Sequence, residues 1–249
     1  MQTCALKRHL LFSLLLVSNI IFCQKTDSLQ HSTHLEGTVT LTNNGLSFIP
    51  TFMLGKPATI FDFIVRKNRF SFEPQLRFAI EDAKPWSFLF WMRYKLAQKE
   101  KFKMGIGIHP SIVFQNKSII DNGVSKDLIT VRRFWAGELT PNYYLSKDIS
   151  IGLYLLYSRG LADATQHTNF VALGSNFTNI KINEAFYMKF APQVYYLRLD
   201  KVDGYYVTST ITLAKHKFPL SLSSTVNQKI QSNIPSDDFV WNVSLAYSY

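Results

Sequence analysis

The residues able to do chemistry in this chain recur at alternate positions inside otherwise apolar segments. Asp62 lies between Phe61 and Phe63, and Glu73 and Arg77 share a register opposed to Phe72, Leu76 and Phe78. Arg93 and Lys95 flank Tyr94; Lys103, His109, Arg132, Glu138 and Lys189 also fall on the non-apolar parity of their segments. Acids and bases gathered on one face can pair into a network or line a path for ions. In a dry interior each such charge costs several kcal/mol, so it must be paired or wet. Catalysis is harder to build from this set. His109 and Ser111 lie two apart on one extended segment, roughly 6–7 Å apart along the strand, too far for a Ser–His hydrogen bond. His31 and His34 sit in a polar leader with no converging ligands, so no metal site and no cofactor are expected.

These side chains need elements with a period of two to hold them, and the chain supplies such elements throughout. The clearest is Phe239-Val-Trp241-Asn-Val243-Ser-Leu245-Ala-Tyr247-Ser-Tyr249. Its odd positions are large and apolar, which makes a strand with one greasy face and one small, polar face. A transmembrane β-strand needs roughly 9–11 such residues, with aromatics at the interfaces. The stripe of Phe239, Trp241, Val243, Leu245, Tyr247 and Tyr249 resembles the C-terminal strand of bacterial outer-membrane barrels, and that resemblance implies an assembly signal recognised by the barrel-assembly machinery. Phe218, Leu220, Leu222, Val226 and Ile230 likewise oppose Ser221, Ser223, Thr225, Asn227 and Lys229. Those polar faces are too rich for a soluble core and the other faces too greasy for water. An outside in lipid and a polar inside satisfy both.

The front of the chain agrees with export. Lys7-Arg8 precedes an apolar run from Leu10 to Phe22, too short to span a membrane as a helix. Residues 1–23 read as a signal peptide cleaved after Cys23; a lipidated Cys23 would want a small residue before it, and Phe22 is not small. The only two cysteines, Cys4 and Cys23, leave with the signal, so no disulfide, thiol nucleophile or cysteine metal site remains. The full-length net charge is +10; without Lys7 and Arg8 it is +8. The basic residues are dispersed rather than gathered in a patch, which argues against a nucleic-acid partner. Outer-membrane lipids and a small solute or anion are the partners that the composition suits.

Strand candidates run 35–42, 46–54, 58–66, 69–80, 86–97, 101–115, 128–145, 149–158, 168–182, 184–198, 202–214, 218–230 and 238–249. Single-chain bacterial barrels have even strand numbers, short periplasmic turns and longer outer loops. Counting back from a last strand that ends in the periplasm makes 46–54 the first strand. The fold expected is thus all-β: a transmembrane, antiparallel, up-and-down β-barrel of twelve strands in residues 46–249, in the outer membrane. Residues 24–45 form an N-terminal segment in the lumen or periplasm, or join the first strand through a bulge.

An apolar-x-Pro-x-apolar pattern recurs: Phe48-Ile-Pro50-Thr-Phe52, Phe72-Glu-Pro74-Gln-Leu76, Ile108-His-Pro110-Ser-Ile112 and Phe190-Ala-Pro192-Gln-Val194. Proline cannot donate to a ladder, so each is expected at a bulge or near a strand end. With the signal ending before Gln24 and the terminal Tyr249, this pattern resembles outer-membrane β-barrel proteins of Bacteroidota-type bacteria. That resemblance implies architecture and carries no catalytic residues. Phe72-Glu-Pro74-Gln-Leu76 also looks like a strand of outer-membrane phospholipase A, another twelve-stranded barrel. That family has a His shortly before Asn-Gly, then Ser-Arg; here Asn122-Gly123 has no His nearby and Ser158-Arg159 lies far downstream, so the activity is not carried over.

The readings left by the sequence are an outer-membrane barrel with a structural, binding or small-pore role, a narrow anion-preferring channel, a lipid-acting barrel enzyme, and a ligand-binding β-sandwich. The sandwich is disfavoured because nearly every strand carries a full apolar face.

Overall fold

The computed structural model describes residues 33–121, 124–162 and 164–249. The signal peptide expected at 1–23 lies outside the described residues. Twelve strands form: β1 (His34–Thr42), β2 (Ala58–Lys67), β3 (Phe70–Ala79), β4 (Pro85–Gln98), β5 (Phe102–Asp121), β6 (Val124–Tyr144), β7 (Ile149–Leu161), β8 (His167–Lys181), β9 (Phe186–Leu199), β10 (Val202–Lys215), β11 (Leu220–Ser232) and β12 (Phe239–Ser248). Each pairs antiparallel with its sequence neighbours, and β1 pairs with β12 to close the barrel. Closure matters because a bare strand edge in hydrocarbon leaves backbone groups unsatisfied at several kcal/mol each.

The alternation in the sequence becomes the two faces of this wall. Phe72, Ile108, Trp135, Leu153, Val194 and Leu222 are exposed on the outside. An apolar surface of this extent is stable only against lipid. On β12, Phe239, Trp241, Val243, Leu245 and Tyr247 are exposed, whereas Val240 and Ser244 are buried. The seam is continued beyond β12 by Tyr249, whose N–H donates to Gly37 O at 3.0 Å while Gly37 N–H donates to Tyr249 O at 3.1 Å. Tyr249 lies so close over Gly37 that a Cβ there would meet its ring at 2.2 Å.

Tight turns gather at the end of the barrel where β12 finishes; one is helped by Asn68, whose φ is 56°. The longest connections, 43–57 and 233–238, lie at the opposite end, which also holds the tight β9–β10 turn. There β5 and β6, of 20 and 21 residues, continue past the roughly 9–11 residues that crossing needs.

Two expectations are corrected. The first strand is β1, not 46–54, so the barrel takes in residues placed ahead of it by the sequence count. Residues 46–54 instead belong to the long β1–β2 connection, which folds inward and carries a 3-10 turn at Pro50–Phe52. Proline at the start of that turn lacks the N–H that a strand would require there. The apolar residues at 46, 48 and 52 alternate because they pack into the lumen, not because they face lipid. Pro74, Pro110 and Pro192 lie in mid-strand rather than at bulges. Pairing in one adjoining ladder lapses at each, between Asp62↔Gln75 and Val65↔Phe72, Leu89↔Ser111 and Met92↔Ile108, and Gly174↔Gln193 and Phe177↔Phe190. The register is the same on both sides of each lapse, so the wall absorbs the missing donor without an extra residue.

Candidate functional site

The lumen is occupied at two levels. The upper one is the inward-folded 43–57 connection, held at its base by Gly45 N–H to Lys56 O at 2.8 Å and Leu54 N–H to Gly45 O at 2.9 Å. It is tied to β12 by Asn43 N–H to Val243 O at 3.1 Å and Asn44 Nδ2 to Trp241 O at 3.1 Å. Phe48 packs against Phe170 and Tyr195 on one side of the barrel, with ring centroids 6.4 and 5.9 Å apart. Phe52 meets Phe134 edge-on at 4.8 Å, further along the same wall on β6. Trp86 Nε1 donates to Phe52 O at 2.9 Å and latches the turn to β4.

The lower one is a charged layer that projects from the β3–β7 part of the wall. Arg93 Nε donates to Glu138 Oε1 at 2.6 Å, and Arg93 also pairs with Glu73. Tyr154 OH donates to Glu138 Oε2 at 2.8 Å, and Ser71 Oγ donates to Glu73 Oε1 at 2.6 Å. The Arg93 guanidinium lies 4.2 Å over the Trp91 ring. Gly107 makes the room: a Cβ there would stand 2.8 Å from Glu138 Oε1 and 3.1 Å from Arg93 Cγ. Glu138 is 6% exposed, which a carboxylate tolerates only with its charge matched and its oxygens bonded.

Between the two levels lies a cavity of about 610 Å³. A second, of about 380 Å³, lies toward the tight-turn end and is lined by Arg66, Lys95 and Lys103 among others. Arg93 and Tyr154 border both.

The ladder registers put the candidate residues as follows. Asp62 accepts a hydrogen bond from Gln75 Nε2, and Gln75 Oε1 accepts from Arg77 Nε at 2.7 Å. Arg77 thus reaches Asp62 only through an amide, and its guanidinium lies 5.0 Å from the Trp86 ring centre. Glu73, Arg93 and Glu138 form the lower layer. Lys95 lines the lower cavity, as does Lys103, whose Nζ stands 4.2 Å over Tyr144. His109 is buried against Trp91, ring centroids 3.9 Å apart, with Nδ1 3.3 Å from Pro110 O rather than at a serine. Arg132 is half-buried on β6 opposite Val113, and Lys189 is exposed on β9 opposite Thr212, away from the charged layer. The structure adds Tyr154, Trp86, Phe48 and Phe52, which charge counting passes over. Phe48 and Phe52 have a signal in the Pro50-centred pattern between turn residues, and Tyr154 in a parity opposed to Leu153 and Leu155; Trp86 has none.

No protein-family model matches the sequence, and no curated protein is significantly similar to it. Solved structures share the architecture. One is the KdgM porin in complex with disordered oligogalacturonate, at 9% identity and TM-score 0.54, covering 86% of this chain and 98% of that one. Another is an outer-membrane channel from Pseudomonas putida F1, at 9% identity and TM-score 0.54, covering 90% and 98%. At such identity the likeness is one of fold. With the closed wall and its lipid-suited exterior, it places this chain among outer-membrane β-barrels.

Proposed function

We propose that the protein is a gated outer-membrane channel for small solutes, closed by the 43–57 connection and by the Arg93 layer. The observation that carries this reading is the pair of cavities meeting at Arg93 and Tyr154. A barrel serving only as a scaffold has no need of two voids, each touched by charged side chains, on either side of one such layer.

The lower cavity is bordered by Arg66, Arg93, Lys95 and Lys103 against Glu73 and Glu138, so its mouth draws anions, and salt weakens that pull. That the similar KdgM structure is a porin holding oligogalacturonate supports a solute of anionic character. The Phe-x-Pro segments and Tyr249 support a Bacteroidota-type barrel. The signal at 1–23 and the apolar Phe239–Tyr249 stripe support export followed by insertion through barrel-assembly machinery.

Swelling of liposomes that contain the purified barrel tests the reading. A variant with residues 46–53 replaced by a Gly-Ser segment of equal length should admit small solutes faster than the wild type. If this variant assembles and both proteins leave the vesicles as tight as protein-free ones, the barrel is a closed scaffold.

A further inference from the structure

We infer that the upper cavity is a binding site for a small amphipathic carboxylate, its anionic head on Arg77 and its apolar body against Phe52, Phe134 and Leu156. Three observations lead there. First, the cavity is bordered by Arg77, Arg93 and His109 and, among the described residues, by no aspartate or glutamate. Second, the two guanidiniums differ. Arg93 is already paired with Glu73 and Glu138. Arg77 gives Nε and Nη2 to one neutral amide oxygen, that of Gln75, and no carboxylate touches it in the ion pairs of the described structure. A guanidinium so placed retains the capacity for the two-pronged hydrogen bond that a carboxylate accepts. Third, Ser87, which faces Arg77 across the β3–β4 ladder and borders the same cavity, is 3% exposed and its hydroxyl has no hydrogen-bond partner.

The rest of the cavity is largely apolar. Phe52 and Phe134 close it on the β5–β6 side and Leu156 and Phe170 on the β7–β8 side. A volume of about 610 Å³ with an apolar lining and a few convergent polar groups is the usual form of a small-ligand site. One cation that no carboxylate contacts directly fits one negative charge, whereas a phosphate dianion would call on a second that Arg93 does not offer. A neutral sugar would leave Arg77 without an anion and set hydroxyls against phenyl rings.

The site rests on the channel reading for the ligand's way in, and binding can be measured separately from conduction. Octanoate is titrated into the full barrel in lipid nanodiscs while tryptophan emission is followed, because Trp86 lies beside Arg77 and Trp91 borders the cavity. The wild type should give a saturable change that octanol does not. Arg77→Gln should weaken it about tenfold or more, the loss of a charge-assisted contact. Leu156→Phe, which shortens the apolar end and keeps every charge, should weaken it as well. Both variants must show the heat-shifted mobility of a folded barrel. Equal, non-saturable responses from folded wild-type and Arg77→Gln proteins would overturn the site. Saturable octanoate binding with a loop-replaced barrel that never conducts would leave the site standing and end the channel reading; conduction without binding would do the reverse.

Discussion

Arg93 is where the account is most exposed to test. Its side chain is 33% exposed, while the side chains of its partners Glu73 and Glu138 are 18% and 3% exposed. Arg93→Met keeps much of the side-chain volume and strands Glu138 without a countercharge. Breaking a buried pair by removing one partner costs about 3–5 kcal/mol. Water reaching the third of Arg93 that is exposed screens part of this, and the lost stacking on Trp91 adds about 0.5–1 kcal/mol to the cost. The expected net loss is about 3 kcal/mol, most of it the unmatched Glu138 charge. Adding Glu138→Gln should then recover most of that loss, because the stranded charge is gone and the amide can still accept from Tyr154 OH. Urea unfolding of the barrel from lipid vesicles, followed by tryptophan emission, measures both. A single variant within about 1 kcal/mol of wild type, or a double variant that is additively worse, would refute the reasoning.

Other changes bear on different parts of the barrel. Deleting Tyr247 to Tyr249 removes the Tyr249–Gly37 pair and the end of the β1–β12 ladder, and should sharply lower heat-modifiable barrel in the outer membrane while export continues; a normal yield would contradict the seam's role. Phe190→Arg on the lipid face should cost roughly 2–4 kcal/mol if it lies near the bilayer midplane, and Gln193→Arg, which borders the upper cavity, much less; equal penalties in vesicle folding would contradict the facing of β9. Trp86→Phe removes the hydrogen bond to Phe52 O and should cost about 0.5–1.5 kcal/mol while making solute entry faster in liposome swelling; unchanged swelling would mean that this latch does not hold the connection.

The wall was legible from the chain because each strand has lipid on one side, which forces period-two alternation over most of its length. The segment 149–158 reads directly as β7, and 238–249 as β12. The 46–54 segment misled because Leu46, Phe48 and Phe52 also alternate. What distinguishes it is local backbone chemistry: Asn43-Asn44-Gly45 before it, Pro50 within it and Gly55-Lys56-Pro57 after it all oppose a continuous strand. The charged layer was legible as a set of inward positions but not as a set of partners. Glu73, Arg93 and Glu138 meet through the registers of β3 with β4, β4 with β5 and β5 with β6, and no single strand's sequence encodes those offsets. The charge total misdirected in the same way: Arg93 counted as free positive charge, yet it is held between two carboxylates. Arg77, Lys95 and Lys103, by contrast, enter none of the ion pairs among the described residues.

In the proposed channel a conducting path runs through the barrel and residues 43–57 close it. Single-channel recording tests this most directly, with wild type and the 46–53 replacement in the same bilayers. The wild type should give rare or no steps. The replacement should give frequent, anion-preferring steps whose preference fades as salt rises. A replacement barrel that is fully folded and inserted yet silent at every salt concentration would contradict this reading.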